Sequence, residues 1–541
     1  MFAYTLIVIT IALALSAVAE RRHIHPALLV VMVGLVASYV PGVPQLQLEP
    51  EFILTIVLPP MLFTAARDFS FADFRRRLGS IVNLGVFLIF ASTFVVSIAV
   101  LSVLPDLLPV TALILAVVIA PPDAVAAIAI GRRAGLPARL MTVLKGESLI
   151  NDAAALTLFS ILVAIATGTH AFIDNLPLYF LYAASVGIIV GLVVGNLAHW
   201  VRGRLSNPAL ATALSVVVPF AAYLIGEELH ASGVLAVVAA GFAVGHHGVQ
   251  SHYRERMQEG AFWRTVDTLL ETFVFAYIGL QLRFVITDAN EAGFDTVELA
   301  TATLVIFLAI VAIRFAWVFA SAALGRWRYR RVAGKLAHTS AGARRRQRPQ
   351  PEAPLSWREN TVLSWTGMRG VVTLAAAAGT PLLTASGDAL PGREAIVSLA
   401  FLVTIATLLI QGLTLPLLID WLKLDNARHE KFVAQQIEHA EDLTHEATMQ
   451  GLDAYARNNP DPASQRLVAS MRQRFDASRK AQQPRSDDPE AALAIGQYLL
   501  AARRARLVQA RDRQEIDDTV VRDMLDKLDL EQAFMDSVGR G

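Results

Sequence analysis

The chain has no cysteine among its 541 residues. Disulfide frameworks, thiolate metal sites and cysteine nucleophiles are therefore excluded. It is also poor in charge. Asp, Glu, Lys and Arg together make up 17% of the residues, against about 25% in an ordinary soluble domain. Hydrophobic residues make up 55%, and the mean hydropathy is +0.49. The net charge of +1 is uninformative; where the charges sit matters more. Apolar blocks fill residues 1–422, and the rest is rich in Arg, Asp, Glu and Gln. The partner this distribution implies is a lipid bilayer, not a nucleic acid.

A signal peptide carries positive charge before its apolar core. Here Arg21 and Arg22 follow Met1–Ala19, so the segment reads as a first spanning helix. About 20 apolar residues cross a bilayer, and on that yardstick about thirteen segments between residues 2 and 419 qualify. Those at 27–40, 51–66 and 231–247 are short. The loops test the count. Arg21/Arg22, Arg67 with Arg75–Arg77, Arg132/Arg133/Arg139/Lys145, Arg202/Arg204, Arg254/Arg256/Arg264 and Arg326–Arg331 with Arg344–Arg346 fall in alternate loops, and most of the intervening ones lack Lys and Arg. Arg283 and Arg393 are the exceptions. Basic loops stay cytoplasmic, which predicts a multi-pass protein of the cell (inner) membrane with its N-terminus outside and C-terminus inside.

The expected fold is therefore all-α and polytopic. A transmembrane domain occupies 1–422, interrupted by a flexible cytoplasmic loop at 332–358. The stretch "HTSAGARRRQRPQPEAP" (His338–Pro354) in that loop lacks any apolar face. A charged tail at 423–541 contains helical stretches such as "EAALAIGQYLLAARRARLVQA". Two readings of the tail stand side by side: a small regulatory or dimer-supporting helical domain, and a solvated extension.

Polar residues inside the spans carry the chemistry. In "LKGESLINDAAALTLFSILVAIA" (Leu144–Ala166), Glu147, Ser148, Asn151 and Asp152 crowd the first third. A central carboxylate costs about 2.5–3.5 kcal/mol on insertion scales. Ser148 and Asp152 lie one helical turn apart, as do Glu147 and Asn151. A hydrogen-bonded cluster locking helices together would account for an amide and a hydroxyl. Two carboxylates favour an ion or proton site.

Two further spans are irregular. In "VVIAPPDAVAAIAI" (Val117–Ile130), Pro121 and Pro122 remove backbone donors in mid-span, and Asp123 follows. Such backbone is tolerated where it lines a cavity, and broken helices beside an acid are how secondary transporters build cation sites. In "SWTGMRGVVTLAAAAGTP" (Ser364–Pro381), Gly367 and Gly370 flank Arg369, for which Glu147 is the expected partner. These two segments, the fifth and twelfth, run in opposite directions, as two inverted repeats with one interrupted helix each would place them.

The motifs "GESLIND", "APPDAVAA" and "GMRGVVTLA", with "LPPMLF" and "ASGVLAVVAAGF", resemble the monovalent cation:proton antiporter-1 family of sodium/proton exchangers over about residues 1–422. The resemblance implies a homodimer of protomers with core and interface domains, working by elevator-like alternating access. It implies that Asp152 takes the ion and the proton, that Ser148 and Asp123 contribute ligands to Na⁺, and that Asn151 shapes the site. It also implies a structural ion pair between Glu147 and Arg369. Relatives with Asn-Asp in place of two aspartates are usually electroneutral. No cofactor is implied beyond the transported Na⁺ (or K⁺ or Li⁺) and H⁺, and no enzymatic activity.

Two departures stand out. Many relatives have threonine where this chain has Pro122, and an acid where it has Thr64, which leaves the ligand count and the sodium-versus-potassium preference open. Thr64, Pro122 and Glu227 are further candidate contributors. Glu227 and Glu228 at the outer mouth would draw in cations, or serve as ordinary interfacial polar residues. His246 and His247 would sense pH, or solvate a helix end. Arg314 reads as a structural charge with no assigned partner. A K⁺/H⁺ antiporter using the same site is the nearest rival. A cation channel is disfavoured because no filter-like repeat is present, and an intramembrane aspartyl enzyme because a Gly-x-Gly-Asp-type motif is missing.

Overall fold

Lipid offers no hydrogen-bond partner to a bare peptide group, so an apolar segment must pair its own backbone, and a helix does so internally. The computed structural model describes residues 2–22, 25–41, 43, 52–168, 173, 175–205, 207–248, 253–337, 354–424, 427–477, 489–513 and 515–538, and among these it has helices and no strands. In chain order they are α1 (Phe2–Arg21), α2 (Pro26–Ala37), α3 (Ile53–Arg67), α4 (Phe71–Val103), α5 (Pro109–Ile119), α6 (Ala124–Arg133), α7 (Ala138–Thr167), α8 (Leu176–Arg202), α9 (Pro208–Glu228) and α10 (Gly233–Gly248). Then come α11 (Tyr253–Leu280), α12 (Leu282–Glu291), α13 (Thr296–Ala337), α14 (Trp357–Trp365), α15 (Val371–Ala378) and α16 (Arg393–Leu422). The tail holds α17 (Ala427–Asn458), α18 (Pro462–Ala477), α19 (Pro489–Asp512) and α20 (Asp518–Val538).

Among the described residues, seven helices are long and apolar enough to cross a membrane, or eight when α11 and α12, bent by 42° at their junction, count as one span. Four shorter apolar helices, α2, α3, α5 and α10, accompany them. The fifth and twelfth segments, those carrying Asp123 and Arg369, are each two helices. Residues 120–123 separate α5 from α6, and residues 366–370 separate α14 from α15. α13 runs on to Ala337, into the loop expected at 332–358. Residues 338–353 of the expected loop lie outside the described residues.

The chain divides into two compact units. The larger comprises Met1–Arg204, Ala213–Gly245 and Phe262–Asp425. Its outward surface is apolar, with Phe94, Leu181, Val193, Leu417 and Trp421 all exposed, as a lipid-facing surface must be. Its centre is α5, where Thr111, Ala112 and every residue from Ile114 to Ala120 is buried. A helix apolar all round has no solvated face and belongs inside; α4, α7, α15 and α16 pack around it.

Packing in lipid depends on close approach more than on removing apolar surface from water. Gly187, Gly191 and Gly195 form one stripe of α8, and it lies on α10. A Cβ at Gly187 would stand 2.6 Å from the Ser232 carbonyl oxygen, and one at Gly195 2.7 Å from the Ala243 Cβ. Small residues one turn apart thus let the two backbones touch. The smaller unit comprises Leu205–Thr212, His246–Ala261 and Asn426–Gly541. Ala440, Leu500, Leu507, Val521 and Leu525 form its core. There Asp529 is 2% exposed and accepts hydrogen bonds from Arg256 Nε at 2.9 Å and Arg504 Nη2 at 2.7 Å.

Candidate functional site

The sequence Pro121-Pro122 stops α5, because proline has no N–H to donate to the preceding turn. The carbonyls of Ile119 and Ala120 at its end are left to find donors, and Arg369 supplies them. Its Nε donates to Ile119 O at 2.8 Å and its Nη2 to Ala120 O at 3.1 Å. Its Nη1 donates to the carbonyl of Gly367. A guanidinium at the carbonyl end of a helix also meets the negative end of the helix dipole. The backbone N–H of Arg369 donates to Thr407 Oγ1 of α16 at 3.0 Å.

The two breaks cross. The N–H of Asp123 donates to Met368 O at 2.6 Å. A Cβ at Gly370 would fall on the Asp123 carboxylate, so only glycine lets the second break lie against this acid. From α7, Asn151 Nδ2 donates to Pro122 O at 2.8 Å. That bond pins the segment carrying Asp152 to the segment carrying Asp123, and the two carboxylates lie within electrostatic reach of each other. Asn151 is fully buried and Asp152 is 6% exposed. The side-chain oxygen Asn151 Oδ1 is buried and has no hydrogen-bond partner among the described residues. Ser148 is half-buried, one turn before Asp152 on the same face. Pro122 contributes its carbonyl, which Asn151 occupies.

The expected Glu147–Arg369 pair does not form. Glu147, 1% exposed, is held by Arg314 of α13, whose Nη1 donates to Oε1 at 2.5 Å and Nη2 to Oε2 at 3.0 Å. Arg314 Nε donates to Leu363 O of α14 at 3.2 Å. The physical reason is the break itself: the non-helical backbone at 366–370 brings the Arg369 guanidinium to the end of α5, whose open carbonyls take its hydrogen bonds. Glu147 stays an electrostatic neighbour without a hydrogen bond to it. Arg314, without an assigned partner in the sequence, is the counter-charge. A second clamp, Arg139 Nε to Glu359 Oε1 at 2.5 Å, joins the start of α7 to α14. Glu359 also completes a capping box with Ser356.

The remaining candidates make no described hydrogen bond to this crossing. Glu227 Oε1 accepts the N–H of Gly233 at 3.1 Å and so caps α10, a stabilising place for an anion. His246 and His247 stack edge to face with centroids 5.3 Å apart. Thr64 Oγ1 donates to Asp267 Oδ1 of α11 at 2.8 Å.

Sequence reasoning missed Asp267, Thr407, Gln411, Arg139 and Glu359. Asp267 and Gln411 could have been found as polar residues inside apolar spans. Gln411 is 1% exposed and its Oε1 has no hydrogen-bond partner among the described residues. Nothing in the one-dimensional pattern pairs Arg139 with Glu359.

The chain is similar to known proteins over most of its length. The family model described as sodium/hydrogen exchanger, transmembrane, matches residues 6–421. An uncharacterised Na⁺/H⁺ exchanger of Mycobacterium tuberculosis is 29% identical over 95% of this chain and 92% of the relative. The Na⁺/H⁺ antiporter ApNhaP of Aphanothece halophytica is 31% identical over 79% of this chain and 76% of its own. Among solved structures, the sodium proton antiporter MjNhaP1 from Methanocaldococcus jannaschii superposes with a TM-score of 0.57 at 16% identity, covering 77% of this chain and 97% of that one, and so shares the fold. A match across the membrane-spanning part, with relatives of this identity and coverage, makes the chain a member of the sodium/hydrogen exchanger family, a transporter and not an enzyme.

Proposed function

We propose that this protein exchanges Na⁺ for H⁺ across the cell membrane, one for one, with both ions competing for Asp152. The observation that carries the reading is the hydrogen bond from Asn151 to Pro122 O, which holds Asp152 beside the crossed breaks and Asp123. Burying a lone ionised carboxylate is costly. A proton removes the charge and a cation balances it, so each displaces the other. Alkali ions take oxygen ligands. Asp152, Asp123 and Ser148 provide them, and Asn151 Oδ1 is an unused oxygen beside them. If the empty, charged site cannot cross, exchange is obligatory.

The elevator mode follows from the same argument. The breaks, α5, α7 and α15 pack as one body, and moving that body carries the ion. Counting each broken pair and each short apolar helix as one crossing brings the spans to thirteen, with the basic loops and the C-terminus on the cytoplasmic side. The two interrupted helices then belong to inverted repeats, and the protein works as a homodimer.

The test is Na⁺-driven dissipation of a pH gradient in inverted vesicles. Asp152→Asn should abolish it, and full activity in that variant would falsify the site. K⁺ in place of Na⁺ tests the rival substrate: a K⁺ response equal to or above the Na⁺ response would favour a K⁺/H⁺ antiporter.

A further inference from the structure

Asp267 is an acid inside a spanning helix that the crossing of the two breaks does not use. It is half-buried: Trp263, one turn before it on α11, is 1% exposed and Phe63 and Ala66 of α3 are fully buried, while Arg67 and Asp68 are its charged neighbours. Its one described hydrogen bond is the 2.8 Å bond from Thr64, and it takes part in none of the described ion pairs. The nearest basic side chain on α3, Arg67, directs its Nε to Asp68 Oδ1 at 2.9 Å and lies over the Trp263 ring, 5.9 Å from its centroid. A half-buried carboxylate bonded only to a hydroxyl, with a second acid beside it and the neighbouring guanidinium turned to that acid, leaves room for a mobile cation.

The position is adjacent to the ion site. Phe63, Ala66 and Trp263 share one apolar cluster with Leu149 and Ala153 of α7. Leu149, Asp152 and Ala153 stand at i, i+3 and i+4, so Asp152 is on the face of α7 turned toward α3, against which Trp263 of α11 packs through Phe63. Thr64 lies one turn from the Arg67 end of α3, the end the basic loops assign to the cytoplasm. Asp267 and Thr64 therefore flank the cytoplasmic approach to Asp152, paired across two helices.

We propose that the Asp267 carboxylate and the Thr64 hydroxyl form a cytoplasmic docking site for the transported monovalent cation, which loads from there onto Asp152. This rests on the reading of Asp152 as the exchange site. A docking residue sets the apparent affinity, and the exchange residue sets whether transport occurs at all. The two therefore separate in kinetics.

The experiment is Na⁺/H⁺ exchange by the full chain in proteoliposomes, with Na⁺ varied on the face corresponding to the cytoplasm. Asp267→Asn should raise the KM for Na⁺ about tenfold or more and leave the maximal rate within about twofold. Thr64→Ala should raise KM about threefold. The exchange Thr64→Asp with Asp267→Thr should bring KM back to within about threefold of wild type. A structural role would lower the maximal rate and thermal stability without moving KM, and that result overturns the proposal. In case Asp267→Asn does not fold, the wild-type protein carries the test through carbodiimide labelling of Asp267, read by mass spectrometry. NaCl should protect the residue where choline chloride does not, and equal labelling in both overturns the proposal. Activity in Asp152→Asn would defeat the underlying reading. An inactive Asp152→Asn with unchanged KM in Asp267→Asn would defeat the docking site alone.

Discussion

Arg314 holds Glu147 through both terminal guanidinium nitrogens, at 2.5 and 3.0 Å, with both side chains at most 3% exposed. Bidentate geometry of this kind is what arginine provides and lysine cannot. Removing one partner of a buried pair strands the other charge, at a cost of about 3–5 kcal/mol. Arg314→Met should therefore lower the thermal stability of the detergent-solubilised protein sharply. The double variant with Glu147→Gln should recover much of the loss. Arg369→Met combined with Glu147→Gln should show a coupling smaller than the Arg314 cycle. A larger coupling for Arg369 than for Arg314 would refute the assignment.

Gly370 gives a second prediction. A Cβ there would collide with the Asp123 carboxylate, whose chain is itself held by the bond from its N–H to Met368 O at 2.6 Å. The Asp123 Cβ would also stand 2.6 Å away, so rotating the carboxylate alone does not clear the clash. Gly370→Ala should cut Na⁺-driven exchange by at least about tenfold, since a displacement near 1 Å at a reacting group costs about a hundredfold in comparable sites. Gly79, where a Cβ would meet nothing within 4 Å, is the control: Gly79→Ala should transport normally. Equal activity of the two variants would remove the steric argument.

The helical class and the broken fifth and twelfth segments were legible in the sequence for a simple reason. Span length, proline pairs and glycine-flanked charges act locally, and local signals survive in one dimension. The partner of Glu147 was not legible. Arg314 and Arg369 are both arginines inside apolar spans, and the choice between them depends on the backbone direction at 366–370, which no periodicity encodes. Asp267 escaped for another reason: it lies near the start of its span, where an acid reads as a boundary residue. Its bond to Thr64, 203 positions away in sequence, gives it a place. The glycine stripe Gly187–Gly191–Gly195 went unread in the sequence, because spacing alone does not name α10 as the helix it packs on.

Asp529 yields a prediction about the tail. It is shared by Arg256 and Arg504, while burial, then the neighbouring Arg256, lowers the Arg504 guanidinium below its usual value. Without the carboxylate, two guanidinium groups are left facing each other. Asp529→Ala should destabilise the smaller unit by about 3–5 kcal/mol. Limited proteolysis should then cut within α19 and α20 at least tenfold faster, with α7 no more exposed to hydrogen exchange than before. Unchanged cleavage would show the cluster to be energetically idle.

Asn151 separates the role of positioning from that of charge. Its Nδ2 holds the Pro122 carbonyl, and its buried Oδ1 has no hydrogen-bond partner among the described residues. Asn151→Ala removes one buried hydrogen bond and strands an acceptor, a loss of about 1–3 kcal/mol. Exchange should fall roughly in proportion, by about five- to a hundredfold. Asn151→Asp tests a different property, because it adds a second carboxylate beside Asp152. With a single exchanging carboxylate, one cation replaces one proton and no net charge moves. The wild-type rate in proteoliposomes should therefore not change when a K⁺ diffusion potential is imposed with valinomycin, at constant pH gradient. With a second carboxylate, a further proton can be carried per cation, and the rate of Asn151→Asp should then respond to the potential. A wild-type rate that already follows the imposed potential would show that charge moves in the native cycle and that Asp152 does not exchange its ions one for one.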